Sequence, residues 1–259
     1  MPIWELDLFI DGPISVKSQL NLNVAKGLRL VDQFYSDVEL RKSGSGIFAI
    51  VTARADTQRL ARKAALFFFG QMLDVLADQT AQPLYISLME SRSVRSVRHT
   101  VRRLVAEDEW LAAFNEARAL ATNEPTFLRA MGWYRKGLYT EDPFDRFLAF
   151  WNSIEIVAAK YHPRTEAAKG GTKNQMSECF RTLWGNRIHW PFIADDENWI
   201  KDNYEIRKDI AHGIASINVE QVEPVLQKLD TIEKMSHRFL TDWRNTQLNL
   251  QDLPLPEQV

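Results

Sequence analysis

The residues best suited to chemistry lie in Asn203-Tyr204-Glu205-Ile206-Arg207-Lys208-Asp209-Ile210-Ala211-His212-Gly213. Ile206, Ile210 and Ile214 recur every fourth residue, the spacing of an apolar stripe on a helix, with Arg207 and His212 off its centre. On such a helix the five steps from Arg207 to His212 amount to about 140° of rotation and about 7.5 Å of rise. The two side chains cannot stack on one another. A guanidinium on its long stem reaches back while an imidazole stays near its backbone, so the pair can bracket a phosphate against the side of the helix. Arg207 would hold phosphoryl charge and His212 would move a proton. A plainer reading stands beside this one. Arg207 can be a surface arginine ion-paired near Glu205 and Asp209, and His212 before Gly213 can be a helix-terminal histidine that meets the last carbonyls and the dipole.

A second helix must help position them. Phe144, Phe147, Leu148, Trp151, Ile154, Ala158 and Tyr161 form one broad apolar face after Glu141-Asp142-Pro143. Glu155 falls on that face, one turn after Trp151. A carboxylate on a buried stripe needs a partner or must take up a proton. It is expected to pair with an arginine or a backbone donor of the Arg207 helix, Arg207 being the first candidate. Its role is then either to orient that arginine or to register two helices against each other.

The Arg207-to-His212 spacing, following the Phe144 to Glu155 helix, resembles the HEPN superfamily and most closely its bacterial Apea-like branch, over about residues 125 to 245. The resemblance implies an all-α bundle and a metal-independent endoribonuclease that works as a homodimer, without a cofactor. In the implied reaction a ribose 2′-hydroxyl attacks the adjacent phosphate and leaves a 2′,3′-cyclic phosphate. His212 would be the general acid/base and Arg207 the stabiliser of the phosphorane, with Lys208, Asp209, Glu155 and Asn203 in support. It also implies a defence or toxin setting, with an antitoxin or regulatory protein as partner. One position departs from the pattern: Lys208 stands where a small polar residue such as Asn is usual. That lysine either adds phosphate affinity or marks a copy that no longer cuts. The alternative function is a non-catalytic HEPN-like module that binds RNA, a nucleotide or a protein.

A second basic feature is Arg92, Arg95, Arg98, His99, Arg102 and Arg103, a run without an acid. Val94, Val97, Val101 and Leu104 recur at helical spacing, so Arg92, Arg95, Arg98 and Arg102 are expected on the opposite face of an amphipathic helix. Such a stripe makes salt-sensitive contacts with an RNA backbone. It can equally be a solvated face, or one paired with Glu107, Asp108 and Glu109.

Composition bounds the remainder. The 259 residues are 45% hydrophobic, enough for a substantial core, and carry a formal net charge of −2, so any RNA contact has to be local. The single cysteine, Cys179, rules out an intramolecular disulfide and a cysteine-based zinc site, and it reads as a small buried apolar residue of a reducing cytoplasm. His162, His189 and His237 lack metal-ligand spacing, so no metal is expected. Lys169-Gly170-Gly171-Thr172-Lys173 lacks the spacing of a phosphate loop and reads as a helix connection. Trp184 to Pro191 is an aromatic-rich loop that either stacks on unpaired bases or anchors itself by burial. Asp195-Asp196-Glu197 reads as the acidic start of the Arg207 helix. Neither a leader nor a membrane span is expected.

The organisation expected is α+β. Residues 1–90 should form a small sheet-plus-helix domain, with strands over Ile3–Ile10, Leu28–Tyr35, Gly46–Ala53 and Pro83–Met89, and a long helix capped by Asp56. Residues 91–122 should form the basic connecting helix, 123–247 the helical bundle, and 248–259 a frayed tail.

Overall fold

In the computed structural model the described residues are 2–23, 34–43, 46–88, 101–194, 196–212 and 219–248. They make an N-terminal antiparallel sheet followed by helices, the α+β organisation expected from the sequence. They divide into two compact units, one running up to Glu124 and the other starting at Pro125.

The first unit is built on β1 (Ile3–Asp11), β2 (Ile14–Ser15), β3 (Leu20–Asn23), β4 (Phe34–Lys42), β5 (Gly46–Arg54) and β6 (Tyr85–Ser87), with sheet order β3-β4-β5-β1-β6. The alternation read in β1 becomes two faces. Leu8 and Ile10 lie in register with Ala49 and Ile47, beside Val38, Leu40 and Val51, and all are buried. Helix α1 (Gln58–Thr80) packs on the sheet through its own buried residues, among them Ala61, Ala65, Phe69, Met72, Leu73 and Leu76. On the opposite face Phe9 meets Phe48 at 5.1 Å between ring centroids.

Several local expectations shift. The cap of α1 is Thr57 rather than Asp56, its Oγ1 accepting from the Leu60 amide at 3.2 Å. Strand β4 runs on through Arg41 and Lys42, which had read as turn, because these two pair with Phe48 and Ile47 of β5. Residues 28–33 of the expected Leu28–Tyr35 strand lie outside the described residues, as do residues 249–259 of the tail.

The basic helix is corrected where it can be described. Arg103–Leu104 is a short strand, β7, parallel to β2, held by Arg103 N–H donating to Pro13 O at 2.8 Å and Val105 N–H to Ser15 O at 3.0 Å. Val101 and Leu104, expected on a buried helical face, are 83% and 60% exposed. The helix itself, α2 (Glu107–Asn123), begins only after these ladder bonds, at an acidic first turn in which Glu109 accepts from the Ala106 amide. It buries Trp110, Ala113, Phe114, Ala117 and Leu120 and packs against α1, so it is part of the first unit and not a connector. Arg92, Arg95, Arg98 and His99 lie outside the described residues, while Arg103 ion-pairs with Glu109.

The second unit is all helical: α3 (Pro125–Tyr139), α4 (Pro143–Tyr161), α5 (Thr172–Trp184), α6 (Trp199–Ala211) and α7 (Val219–Thr246), with short 3-10 turns at Ala167–Gly170 and Arg187–His189. The start of α4 follows from Asp142, whose carboxylate accepts from the Asp145 amide at 2.9 Å, and from Pro143 in the first turn. Helix α4 packs against α3, α5, α6 and α7. Its expected apolar face is the core face: Phe147, Trp151, Ile154 and Ala158 are all fully buried.

An aromatic cluster fills the space around it. Phe180 lies 5.0 to 6.2 Å from Trp184, Trp190, Trp199 and Phe239. Trp184 and Trp190 therefore anchor their loop by burial, their indole N–H groups donating to Asp242 and to Gly185 O. Helices α3 and α4 approach closely at Gly137, where an added Cβ would meet the Phe150 ring at 2.5 Å. Gly137→Ala should thus destabilise the chain by about 1–3 kcal/mol in urea melts, with no change in the sheet signal of circular dichroism. An unchanged midpoint would show that the two helices do not pack this closely.

Candidate functional site

The candidate site begins with the way α6 sits on α4. The isoleucine stripe does not become the buried side of α6: Ile206 and Ile210 are only half-buried, and Ile214 lies outside the described residues. The side turned inward runs instead through Trp199 and Asn203, one turn apart, with Arg207 one turn further on. Trp199 decides this orientation, because its ring belongs to the aromatic cluster, 6.2 Å from both Trp151 and Phe180. Asn203 is fully buried and donates its amide to Trp199 O at 2.7 Å.

This rotation brings Arg207 to Glu155. Arg207 Nε lies 3.2 Å from Glu155 Oε2, the pairing anticipated from the sequence. The contact is an ion pair at a geometry not aligned for a hydrogen bond, so Nε has no hydrogen-bond acceptor. The same carboxylate oxygen accepts a 2.8 Å hydrogen bond from Trp151 Nε1. Glu155 is thus fixed on its own helix by the indole one turn back, and it presents its charge to the next helix. Both side chains keep some solvent contact, 30% for Arg207 and 19% for Glu155.

His212 is the C-cap of α6, exposed, with φ −90° and ψ 0°, and its amide donates to Lys208 O at 3.0 Å. The helix-terminal position is therefore real, and the ring is not packed in the core. The helix holds Arg207 and His212 at their five-residue offset, one at the α4 contact and the other at the solvent end.

Lys208 is engaged by Glu205 one turn back. Glu205 also faces Lys173 of α5 at 3.9 Å, and the Lys173 ammonium lies 5.1 Å from the centre of the Tyr204 ring. The hydrogen bond from Lys208 holds the Glu205 carboxyl below the usual carboxylate range, and that same bond raises the Lys208 ammonium above the usual lysine range. The lowered group contributes above the ordinary carboxylate pKa and is lost as pH falls through its folded value. The raised group contributes below the ordinary lysine pKa and is lost as pH rises through its folded value. Both are charged across the neutral range. Asp209 is exposed on the far side.

Of the acidic residues expected at the start of α6, Asp195 lies outside the described residues, and Asp196 and Glu197 precede the helix. Asp196 accepts from the Asn198 amide at 3.1 Å and faces Lys228 at 3.9 Å. The other histidines are placed elsewhere: His162 caps α4 and contacts Pro163 O, and His237 stacks on Tyr134 at 5.3 Å. Cys179 is buried, and burial, with the Glu178 charge beside it, pushes its thiol up to about 12, which makes it chemically inert. Among the described residues no group of three His, Cys, Asp or Glu side chains is placed to hold a metal ion, and no helix is long and apolar enough to cross a membrane. Compared with protein-family models, with curated proteins and with solved structures, the chain finds no match in any of the three.

Sequence reading found Glu155 and Arg207 but not Trp151 as the donor that fixes the carboxylate, nor Glu205 as the partner of Lys208. The signal for both was helical spacing, i to i+4 for Trp151 and Glu155 and i to i+3 for Glu205 and Lys208. A double-mutant cycle of Glu155→Gln and Arg207→Gln should return a coupling of about 1 kcal/mol in denaturant unfolding; additivity would remove the pair. Nuclear magnetic resonance titration of the Lys208 ammonium should show it above an ordinary lysine, falling back when Glu205 is replaced by Gln. A titration indifferent to that substitution would sever the link.

Proposed function

We propose that the helical unit is a metal-independent endoribonuclease of HEPN type. The observation that carries the reading is the grip on Arg207. Glu155, itself held by Trp151, faces the guanidinium with Nε 3.2 Å from Oε2, and that arginine keeps 30% of its side chain in contact with solvent, where a guanidinium can meet two phosphate oxygens. His212 supports it by standing exposed at the end of the same helix.

In the proposed reaction a histidine accepts the proton of a ribose 2′-hydroxyl as its oxygen attacks the adjacent phosphorus. Arg207 balances the charge gathering on the non-bridging oxygens. The bond to the 5′-oxygen breaks, that oxygen takes a proton, and a 2′,3′-cyclic phosphate remains. One imidazole cannot be base and acid at once, so a homodimer supplying two His212 rings to one RNA strand meets the requirement. The half-buried Ile206 and Ile210 offer an apolar surface on the same helix for such a pairing. Lys208, Asp209 and Asn203 act in support, and the basic run of Arg92, Arg95, Arg98 and Arg102 is proposed as an RNA-contacting segment in its own right. A cytoplasmic defence or toxin setting, with an antitoxin or regulatory protein, belongs to the same proposal.

The second reading is a non-catalytic module binding RNA, a nucleotide or a protein, and Lys208 favours it. Where the family pattern has a small polar residue, this chain has a lysine already engaged by Glu205. The two readings part in one assay. Total RNA incubated in EDTA with the wild-type chain should be cut to products ending in cyclic phosphate, and His212→Ala should lower the rate by about 10²–10⁴-fold. Identical products from both proteins, or none from either, would leave the module; cleavage that needs added metal would remove this mechanism.

A further inference from the structure

Trp184 and Trp190 anchor the loop between α5 and α6 by burial, but two other apolar side chains of that loop stay outside. Ile188 is 65% exposed and Phe192 is 60% exposed. Phe192 also has φ +61°, the left-handed region. A proline followed by a left-handed residue is the pattern of a type II turn, whose third position suits glycine or asparagine because a larger side chain is strained there. The chain therefore strains its backbone to hold an aromatic ring in water, and burial within the unit does not offset the strain. A conformation kept without a return in packing points to a task outside the fold.

A cavity of about 210 Å³ shares this loop. Trp190 lines it, and Phe192 is two residues further on, no more than about 7 Å of chain away. Cations reach the cavity from three elements. Lys173 of α5 faces Glu205 at 3.9 Å. Arg187 is fixed by the loop, its Nη1 donating to Glu197 O at 2.9 Å and its guanidinium carbon 5.5 Å from the centre of the Trp190 ring. Lys201, exposed in the first turn of α6, makes no hydrogen bond or ion pair among the described residues, and the hydroxyl of Ser177 makes no hydrogen bond there. Two carboxylates also line the cavity. Asp196 is engaged by the Asn198 amide and faces Lys228, which leaves the exposed Glu197 as the acid without an ion pair among the described residues.

Size and charge choose the occupant. Three cations against one unpaired acid favour an anion, and guanidinium, ammonium and hydroxyl groups all donate to phosphate oxygens. The volume is below the ~300–1,000 Å³ of a site that encloses a whole small molecule, so it suits one phosphate group of a larger ligand. An exposed aromatic ring close to a phosphate site is a platform for an unpaired base. In a duplex each base is already paired and stacked, so the ring selects a single strand. A protein surface would cover Ile188 and Phe192 but leave the cationic cavity unused.

We propose that this loop and cavity form a subsite for single-stranded RNA, with a backbone phosphate among Lys173, Arg187 and Lys201 and a neighbouring base stacked on Phe192. The subsite rests on the RNA reading given above but not on cleavage. The test uses the full chain and a labelled ten-nucleotide 2′-O-methyl RNA, which lacks the attacking hydroxyl and so reports binding alone, followed by fluorescence anisotropy. Phe192→Asn, which suits the left-handed turn, should weaken binding about tenfold or more and leave the unfolding midpoint unchanged or raised. Lys201→Gln should lower the slope of log affinity against log salt by about 0.7, the value for one phosphate of a single strand. The same strand in a duplex should bind more weakly. Undiminished binding by Phe192→Asn, a lowered midpoint in that variant, an unmoved salt slope, or a duplex bound as tightly would each overturn the subsite. Absent binding, with self-association that Phe192→Asn abolishes in sedimentation, would give the face to a second copy instead. Binding that depends on Phe192, in a wild-type chain that leaves ordinary RNA uncut, would strike the nuclease and keep the subsite.

Discussion

The geometry of the helical unit's candidate site depends on one carboxylate. Helix α4 is apolar along the face it gives to its neighbours, and Glu155 is the charge at the margin of that face. An unpaired charge at the edge of an apolar face is costly to hold. Two groups prevent this, an indole N–H from the preceding turn and a guanidinium from α6. The first costs no extra ordering, because Trp151 is already locked in the aromatic cluster. The second ties the rotation of α6 to α4. With Trp199 buried at one end of α6 and Arg207 held toward the other, the helix cannot turn about its axis without losing either the cluster or the ion pair.

That constraint explains why the sequence was legible in part. The apolar face of α4 was readable because one helix supplies all of it, and the Glu155 to Arg207 pairing because a carboxylate on such a face demands a cation. The buried side of α6 was not readable. Ile206, Ile210 and Ile214 present the cleaner stripe, yet burial goes to Trp199 and Asn203. One tryptophan in an aromatic cluster outweighs two isoleucines at a half-exposed surface, and only the tertiary neighbours Phe180 and Trp151 reveal that the cluster exists.

In the sheet unit the sources of error were different. Of the three nine-residue strands, β1 and β5 were visible from alternation and β-branched content and β4 was read only at its start, whereas β2, β3 and β7 are two to four residues long and acquire meaning solely from their partners. The stretch from Val101 to Leu104 illustrates the difference. Its valine spacing mimics a helix, but the backbone bonds available from Pro13 and Ser15 are satisfied only by an extended chain. Periodicity describes what a segment could bury, and Val101 and Leu104 bury little. Residues 89–100, which hold Arg92, Arg95 and Arg98, lie outside what the fold describes, so the basic run keeps the meaning its sequence gives it and no more.

The ion pair at Arg207 first looks like an obstacle to phosphate binding, since an anion would have to compete with Glu155 for the same cation. The contact is closest at Nε but is not aligned as a hydrogen bond, so under the proposed function a phosphate would compete with an ion pair and not with a hydrogen bond at Nε. Lys208 stands in the opposite situation. Its ammonium is a single point of charge, so the Glu205 contact and a phosphate contact draw on the same atom. Two neighbouring cations on one helix are thereby made unequal: the arginine faces its carboxylate without a hydrogen bond at Nε, whereas the lysine is hydrogen-bonded to its own.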